Sequence, residues 1–303
     1  MRYKIVHETR YSSAEPISVG HNEAWLSPRA TSNQTCLDHS LEIRPTPSII
    51  ISRQDYFENL TTQFAFNQGY ETLSVTATSI VEVSPPIPPR KQIAWERVRD
   101  DLRSRRTPDD FAALEFVFDS PRCRSSHELE TYARESFPEG GDIRASLAHL
   151  MHRVFTEFQY DPAATTVTTP VEQVFRIRRG VCQDFAHLLI SLVRSLGLAA
   201  RYVSGYLRTI PPEGQPRLVG ADASHAWASV YCGDLGWIDL DPTNDQFPST
   251  DHITIAWGRD YSDVAPLKGV YVGGSSPQLS VSVDVEECPL EDEIPSTTEA
   301  SHS

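Results

Sequence analysis

Hydrophobic and polar residues alternate along much of residues 1–84, and this alternation is the period of a β-strand. The clearest run is 73–83, in which most odd positions are apolar and most even positions are polar. Shorter runs of the same kind occur at 3–7, 41–43 and 49–52. Strands that follow one another without helices between them predict an antiparallel β-sandwich over residues 1–84.

A proline-rich segment follows this β-rich region. Residues 84–90, SPPIPPR, contain four prolines. Because proline lacks the backbone N–H and fixes φ, so many prolines exclude a helix or a central strand. We therefore predict a stiff linker at 85–90, a second domain over 91–285 and a separate tail at 286–303.

In the second domain the apolar spacing changes to three and four residues, as in amphipathic helices. One helix is predicted to begin after Asp142, a suitable N-cap, with an apolar stripe of Ile143, Leu147, Leu150, Met151, Val154 and Phe158. Another is predicted from Cys182 to Gly197, with Phe185, Leu188, Leu189, Leu192 and Leu196 facing the core. A short helix precedes it, and Gly180 is expected to end that helix in a left-handed conformation.

Cys182 lies in the first turn of the helix that ends at Gly197. The first backbone N–H groups of a helix have no partner within it, and the helix dipole is positive at that end. Both effects favour the thiolate, which is the nucleophilic form of cysteine and is otherwise a small fraction at neutral pH. Cys182 is therefore the candidate nucleophile.

After Gly197 the apolar period returns to two. Antiparallel strands are predicted at 200–207, 225–232 and 237–241, and a last alternating strand at 279–285. Within 225–232, His225 shares one face with Trp227, Ser229 and Tyr231. Such a sheet can bring His225 next to the start of the helix that carries Cys182.

The charge of the chain narrows its possible partners. Its 303 residues include 41 acidic and 27 basic residues, which gives a net charge of −14. Residues 284–303 contain seven acidic residues and no Lys or Arg, so the end of the tail is predicted to be disordered. Nonspecific binding to nucleic acid or to an anionic membrane is not expected of so acidic a protein.

Long apolar segments are absent from the sequence. No run approaches the ~18 apolar residues of a membrane-spanning helix. Residues 1–20 mix charged and polar residues with apolar ones, unlike the unbroken apolar core of a signal peptide. A soluble, cytoplasmic protein is therefore expected.

The cysteines and histidines indicate no metal site. The five cysteines stand at 36, 123, 182, 232 and 288 without a CxxC pair, which predicts neither a disulfide framework nor a zinc knuckle. His149 and His152 are three residues apart on a predicted helix, but no third ligand occurs at a matching interval. No metal or other cofactor is predicted.

Cys182, His225 and Asp241 together have the composition of a catalytic triad. Cys182 would be the nucleophile, His225 would take its proton, and Asp241 would orient the imidazole through the other ring nitrogen. Asp239 is an alternative third member, because alternate residues of a strand face the same way. Spacing alone does not decide between the two carboxylates.

Four short sequence motifs contain or flank these residues. They are RGVCQDFAH at 179–187, RYVSGYL at 201–207, DASHAW at 222–227 and GWIDLDPTN at 236–244. Together they closely resemble the bacterial transglutaminase-like proteins of the papain-like superfamily. HETRY at 7–11 resembles their β-rich N-terminal domain and GRDY at 258–261 their C-terminal segment, so the resemblance covers roughly residues 1–285.

This resemblance implies an α+β fold. A papain-like core, with the Cys-bearing helix packed on antiparallel strands, would follow the N-terminal β-sandwich. The aspartate of the family's motif corresponds to Asp241, which gives Cys182, His225 and Asp241 as the implied triad. Papain has a glutamine six residues before its cysteine, where this chain has Arg176, so only the Cys182 backbone N–H is assigned to the oxyanion hole.

The implied chemistry is cleavage of a peptide or isopeptide amide through a cysteine thioester. Hydrolysis, as in a cysteine protease, is the favoured outcome, and transfer of the acyl group to an amine, as in a transglutaminase, is the alternative. A non-catalytic peptide-binding scaffold is the alternative of another class. The expected partner is a protein or peptide substrate, and calcium is not expected because no EF-hand-like run is present.

Overall fold

The computed structural model describes residues 1–89, 91–209, 223–274 and 278–288. Its strands are β1 (Arg2–Ala24), β2 (Gln34–Arg44), β3 (Ile49–Gln54), β4 (Leu60–Phe66), β5 (Tyr70–Val83), β6 (Gln159–Tyr160), β7 (Arg179–Gly180), β8 (Ala200–Leu207), β9 (Ala223–Tyr231), β10 (Trp237–Leu240), β11 (His252–Gly258), β12 (Leu267–Gly273) and β13 (Gln278–Cys288). Its α-helices are α1 (Trp95–Ser104), α2 (Pro108–Ala113), α3 (His127–Arg134), α4 (Ile143–Glu157), α5 (Val171–Ile177), α6 (Cys182–Ser195) and α7 (Tyr261–Val264). None of these helices is long and apolar enough to cross a bilayer.

Strand β1 takes part in both halves of the N-terminal sheet. Its first part, from Arg2 to Ser12, pairs antiparallel with β5 and with β13. Its second part, up to Ala24, pairs with β4 and β12. The register shifts between Ser12 and Ile17, where the strand passes from one half to the other.

The two halves pack against each other. Strand β2 borders β5 in one half, and β3 borders β4 in the other. Their apolar side chains form a single cluster of Ile17, Ala24, Leu26, Ile43, Phe64, Phe66, Tyr70, Leu73, Val75 and Ala77. The N-terminal region is thus the predicted antiparallel β structure, built as one seven-stranded sheet whose two halves share β1 and pack around this cluster.

The C-terminal strands correct the predicted division of the chain. Residues up to 285 were assigned to the second domain and residues from 286 to the tail. Strands β12 and β13 instead pair with β1, and β13 continues through Cys288, which lies opposite Arg2. Alternation predicts a strand but not its partner, so the sequence pattern could not show this pairing. Tail residues 289–303 and linker residue Arg90 lie outside the described part of the chain.

The sandwich and the second domain share one core. Tyr3, Ile5, Val81 and Val83 belong to the same buried cluster as the residues of α4 and α6. The predicted stripe of α4 is buried, and the Asp142 side chain accepts a hydrogen bond from the Ala145 N–H at 3.1 Å. The apolar stripe predicted for α6 is buried as well, so the core-facing positions of both helices are confirmed.

The centre of the second domain is a four-stranded antiparallel sheet in the order β10-β9-β8-β11. Helix α6 packs on β8 and β9 and is buried along most of its length, from Asp184 to Arg194. A helix this buried presents only its ends to solvent. The start of α6, at Cys182, is therefore the part of the helix available for chemistry.

Candidate active site

The start of α6 is held by Asp184. The N-cap, Val181, has no side-chain oxygen, so the capping contact comes from the first turn of the helix itself. Asp184 Oδ2 accepts a hydrogen bond from the Val181 N–H at 2.9 Å and another from Thr165 Oγ1 at 2.6 Å. These contacts fix the backbone on either side of Cys182.

Gly180 leaves room for this cap. A Cβ at position 180 would lie 2.8 Å from Asp184 Cβ, closer than carbon atoms pack. The left-handed residue that ends α5 is Arg178, with φ of 56°, and not Gly180 as predicted. Gly180 instead belongs to β7, which pairs with β6, so its small size is needed for packing against Asp184.

His225 and Asp241 form a buried pair. His225 lies on β9, and Asp241 directly follows β10. His225 Nε2 lies 2.8 Å from Asp241 Oδ2, and Asp241 is fully buried. The Thr243 N–H donates to Asp241 Oδ1 at 3.0 Å, which orients the carboxylate.

This pair changes the proton affinity of both groups. Burial lowers the pKa of His225, but hydrogen bonds to Asp241 and Cys182 and the nearby negative charge outweigh it and raise that pKa to about 10. Burial raises the pKa of Asp241, but hydrogen bonds from His225 and His252 outweigh it and leave the pKa well below its usual range. The site therefore favours an imidazolium beside a carboxylate.

Cys182 lies near the same histidine. Cys182 is half-buried, lines the same cleft as His225, and contributes to the raised pKa of the His225 ring. Because Nε2 contacts Asp241, Nδ1 is the ring nitrogen left for the thiol. Of the three predicted residues, Cys182 and His225 thus line one cleft, and His225 bonds to Asp241.

Asp239, the alternative third member, has a different partner. Its Oδ2 accepts a hydrogen bond from Trp227 Nε1 at 3.1 Å. His225 bonds to Asp241 instead, so the geometry favours Asp241 over Asp239 as the orienting carboxylate.

Two further residues contact Asp241 and were missed in the sequence. Asn244 Nδ2 donates to Asp241 Oδ2 at 2.7 Å, and His252 Nε2 lies 3.1 Å from the same oxygen. Asn244 stands in the same phrase as Asp241, which was the available signal. His252 lies on β11, a strand that the pattern did not predict, so no signal pointed to it.

The ring nitrogens and carboxylate of His225, Asp241 and His252 lie within 4.8 Å of one another, close enough to consider a metal site. Two ligands of a tetrahedral zinc ion, each about 2.0 Å from it, are about 3.3 Å apart. The His225 to Asp241 distance of 2.8 Å is shorter and is that of a direct hydrogen bond. The group is therefore arranged as a hydrogen-bonded cluster centred on one carboxylate oxygen.

A cleft of about 450 Å³ opens beside Cys182. One wall comes from the second domain and includes Gln183, Tyr202 and Ser204. The other comes from the N-terminal sandwich and consists of His7, Thr9 and Tyr11 of β1 with Leu279, Val281 and Val283 of β13. The sandwich therefore forms half of the candidate active site.

Comparisons with known proteins agree with this architecture. A model of the bacterial transglutaminase-like N-terminal region matches residues 3–82, and a model of the transglutaminase-like superfamily matches residues 131–242. Uncharacterised proteins of Mycobacterium bovis and Mycobacterium tuberculosis are 39% identical over 295 residues, which cover 94% of this chain and 92% of each relative. The chain belongs to the bacterial transglutaminase-like superfamily, as predicted.

Two other similarities concern the fold and the core. A candidate cysteine protease from Cytophaga hutchinsonii superposes with a TM-score of 0.74 at 24% identity, over 96% of this chain and 92% of that one. This confirms the predicted fold class. A Pseudomonas aeruginosa protein-glutamine gamma-glutamyltransferase is 31% identical over 108 residues, which are 33% of this chain and 16% of that protein. Membership of the superfamily supports acyl-transfer chemistry at a thiol.

Proposed function

We propose that this protein is a thiol-dependent enzyme that hydrolyses an amide bond in a peptide or protein through a thioester on Cys182. The carrying observation is the position of His225, whose Nε2 bonds to Asp241 and which lines the same cleft as Cys182. A thiol, a base and an orienting carboxylate are the groups that nucleophilic acyl transfer requires.

The reaction has two steps. In the first, Cys182 gives its proton to His225, and the thiolate sulfur attacks the amide carbon. The C–N bond then breaks, and His225 returns the proton to the departing amine, which leaves a thioester. In the second, His225 removes a proton from water, the hydroxide adds to the thioester, and the C–S bond breaks to release a carboxylic acid and Cys182.

The start of α6 also stabilises the tetrahedral intermediates. Cys182 is the first residue of α6, so its backbone N–H has no partner within the helix. This N–H and the positive end of the helix dipole both favour the oxyanion that forms next to the sulfur. We assign the Cys182 N–H as one donor of the oxyanion hole.

The lining of the cleft favours water as the acceptor of the acyl group. Of the described residues that line it, none is acidic. A lysine side chain arrives as an ammonium ion, which a carboxylate in the cleft would attract and help to position. Transfer to an amine remains the second candidate, because the core of the chain is similar to that of a protein-glutamine gamma-glutamyltransferase.

An assay with two readouts tests the proposal. The protein is incubated with casein, with and without a fluorescent primary amine, and both new amino termini and incorporated amine are measured. We expect new amino termini without incorporated amine, and loss of the new amino termini in Cys182→Ala but not in Cys36→Ala, which alters another half-buried thiol. Incorporated amine would support the transferase, and an unchanged signal in Cys182→Ala would contradict thiol catalysis.

A further inference from the structure

A second cavity, of about 660 Å³, includes neither Cys182 nor His225 in its walls. Its walls combine polar and apolar residues, and their large apolar members are Trp227, Trp237, Phe247, Trp257 and the linker prolines between 85 and 89. This volume is in the range of small-molecule sites. The proposed amide hydrolysis makes no use of this pocket.

Arg201, on β8, lines this pocket, and only 9% of its surface is exposed. Its guanidinium carbon lies 4.0 Å from the centre of the Trp237 ring and 3.6 Å from that of Trp257. Stacking between two indoles holds the plane of the guanidinium but occupies none of its N–H donors. The two rings therefore orient the fork of Arg201 without satisfying it.

Arg201 is a buried cation that lies within reach of the Asp239 charge but forms no direct ion pair with a described residue. No residue within the described ranges makes a hydrogen bond or an ion pair with it, and its Nε is enclosed without a partner. Burial lowers the pKa of Arg201 to about 9, although the group still carries its charge at neutral pH. Buried charges in proteins are usually paired, so Arg201 marks the position of a missing anionic partner.

Two other buried groups around the pocket also have no partner. Ser229 Oγ is fully buried, and Ser229 lies directly opposite Arg201 in the β8–β9 register. His252 Nδ1 is also without a partner, but His252 lines the other end of the pocket, where it pairs with Leu207 of β8. Most buried polar side chains find a hydrogen-bond partner, so the unsatisfied Arg201 Nε and Ser229 Oγ, whose residues lie opposite each other, indicate a polar ligand at this end of the pocket.

The surrounding charges select the kind of anion. Arg144 adds a positive charge to the lining, and Asp239 adds a negative one. One net positive charge fits a single carboxylate better than a phosphate dianion. The planar fork of a guanidinium matches a carboxylate through two parallel hydrogen bonds, and the indole and proline walls suit an apolar body.

We propose that this pocket binds a monocarboxylate with an apolar body, and that Arg201 holds its carboxylate. The pocket reaches the candidate active site through one residue, because His252 lines it and also contacts Asp241. The proposal does not depend on thiol chemistry, so it is tested in the full chain carrying Cys182→Ala.

The probes are 4-phenylbutyrate and its neutral amide, titrated by calorimetry and by tryptophan fluorescence. We expect the acid to bind with a dissociation constant below about 1 mM and at least about 10-fold more tightly than the amide. Arg201→Gln should abolish this preference. Arg99→Gln, which alters an arginine stacked on Trp95 outside the pocket, should leave it unchanged.

A second pair of probes separates free acids from peptide carboxylates. N-acetyl-glycyl-phenylalanine is compared with its C-terminal amide, and tighter binding than phenylbutyrate would identify a peptide terminus as the source of the carboxylate. If Arg201→Gln does not fold, the proposal is tested with Asp239→Asn instead. Removing this negative charge from the pocket should tighten binding of the acid several-fold. Equal binding of acid and amide, an unchanged affinity in Arg201→Gln, or weaker binding in Asp239→Asn would overturn the proposal.

Discussion

Two buried histidines face the same cleft from opposite sides and have opposite proton affinities. His7, from the sandwich, hydrogen-bonds to Tyr206 and Thr9, both at 2.8 Å, and burial lowers its pKa to about 4. His225, from the core sheet, bonds to Asp241 and lines the cleft with Cys182, and its pKa is raised to about 10. Both are at least nine-tenths buried, so burial does not explain the difference.

The difference lies in the charge of the partners. Neutral hydroxyl groups around His7 leave desolvation unopposed, and the imidazole stays neutral. The carboxylate beside His225 stabilises the imidazolium and reverses the effect of burial. We therefore expect His225 to take part in proton transfer and His7 to shape the cleft.

Replacement of the two histidines gives the largest expected contrast. His225→Ala should lower kcat in the casein assay by on the order of 10⁵-fold, because the thiol loses its base. His7→Gln should lower kcat by less than about 10-fold and act mainly on KM or on stability. Thermal unfolding of both variants serves as the control for folding. Similar losses of kcat in folded variants would show that the two histidines do not differ in role.

Replacement of Asp241 tests whether its carboxylate causes the difference between His225 and His7. Asp241→Asn should lower kcat by on the order of 10⁴-fold, a typical effect when the orienting carboxylate of a triad is lost. Asp239→Asn changes the same functional group two residues away and should cost less than about 10-fold. A larger loss in Asp239→Asn than in Asp241→Asn would reverse our assignment.

The pH dependence should separate the two histidines as well. The high pKa of His225 predicts that kcat/KM stays high up to pH about 10, where the imidazolium loses the proton that the leaving amine needs. In Asp241→Asn only Cys182 still opposes the effect of burial on the His225 pKa, and the alkaline limb of the pH profile should move down by about two pH units or more. An alkaline limb at the same pH in Asp241→Asn would mean that a group other than His225 controls it.

The raised pKa of His225 also makes the free energy of unfolding depend on pH. A histidine whose pKa is raised on folding contributes stability below its ordinary value of about 6.5, and this contribution is lost as the pH rises to about 10. The free energy of unfolding should therefore fall across this range more in wild type than in His225→Gln. Parallel curves from chemical denaturation would contradict the raised pKa.

The smallest effect is expected at His252. It supplies one of the hydrogen bonds to Asp241 Oδ2 but does not contact the thiol, so it is a positioning residue. His252→Gln should lower kcat by about 10-fold and shift the alkaline limb slightly, since one bond to the carboxylate that acts on His225 is removed. A loss of stability without a change in the pH profile would assign His252 a purely structural role.

Much of the site followed from sequence because its parts are local. Cys182 was recognisable from a glycine turn before an apolar helix, and His225 from an alternating strand. The contacts of His252 and Arg201 depend instead on the register of β8, β9 and β11, which no single segment encodes. For the same reason the alternation of β13 predicted a strand but did not reveal that it pairs with β1 and forms a wall of the cleft.

The most direct test of the account is the rate of alkylation of each cysteine by iodoacetamide at mildly acidic pH, followed by peptide mass spectrometry. Cys36 and Cys288 are half-buried like Cys182, and Cys123 and Cys232 are buried. We predict that Cys182 reacts at least about 10-fold faster than any other thiol and that His225→Ala removes this advantage. Equal rates at Cys36, Cys182 and Cys288, or a Cys182 rate unchanged in His225→Ala, would contradict activation of the thiol by His225.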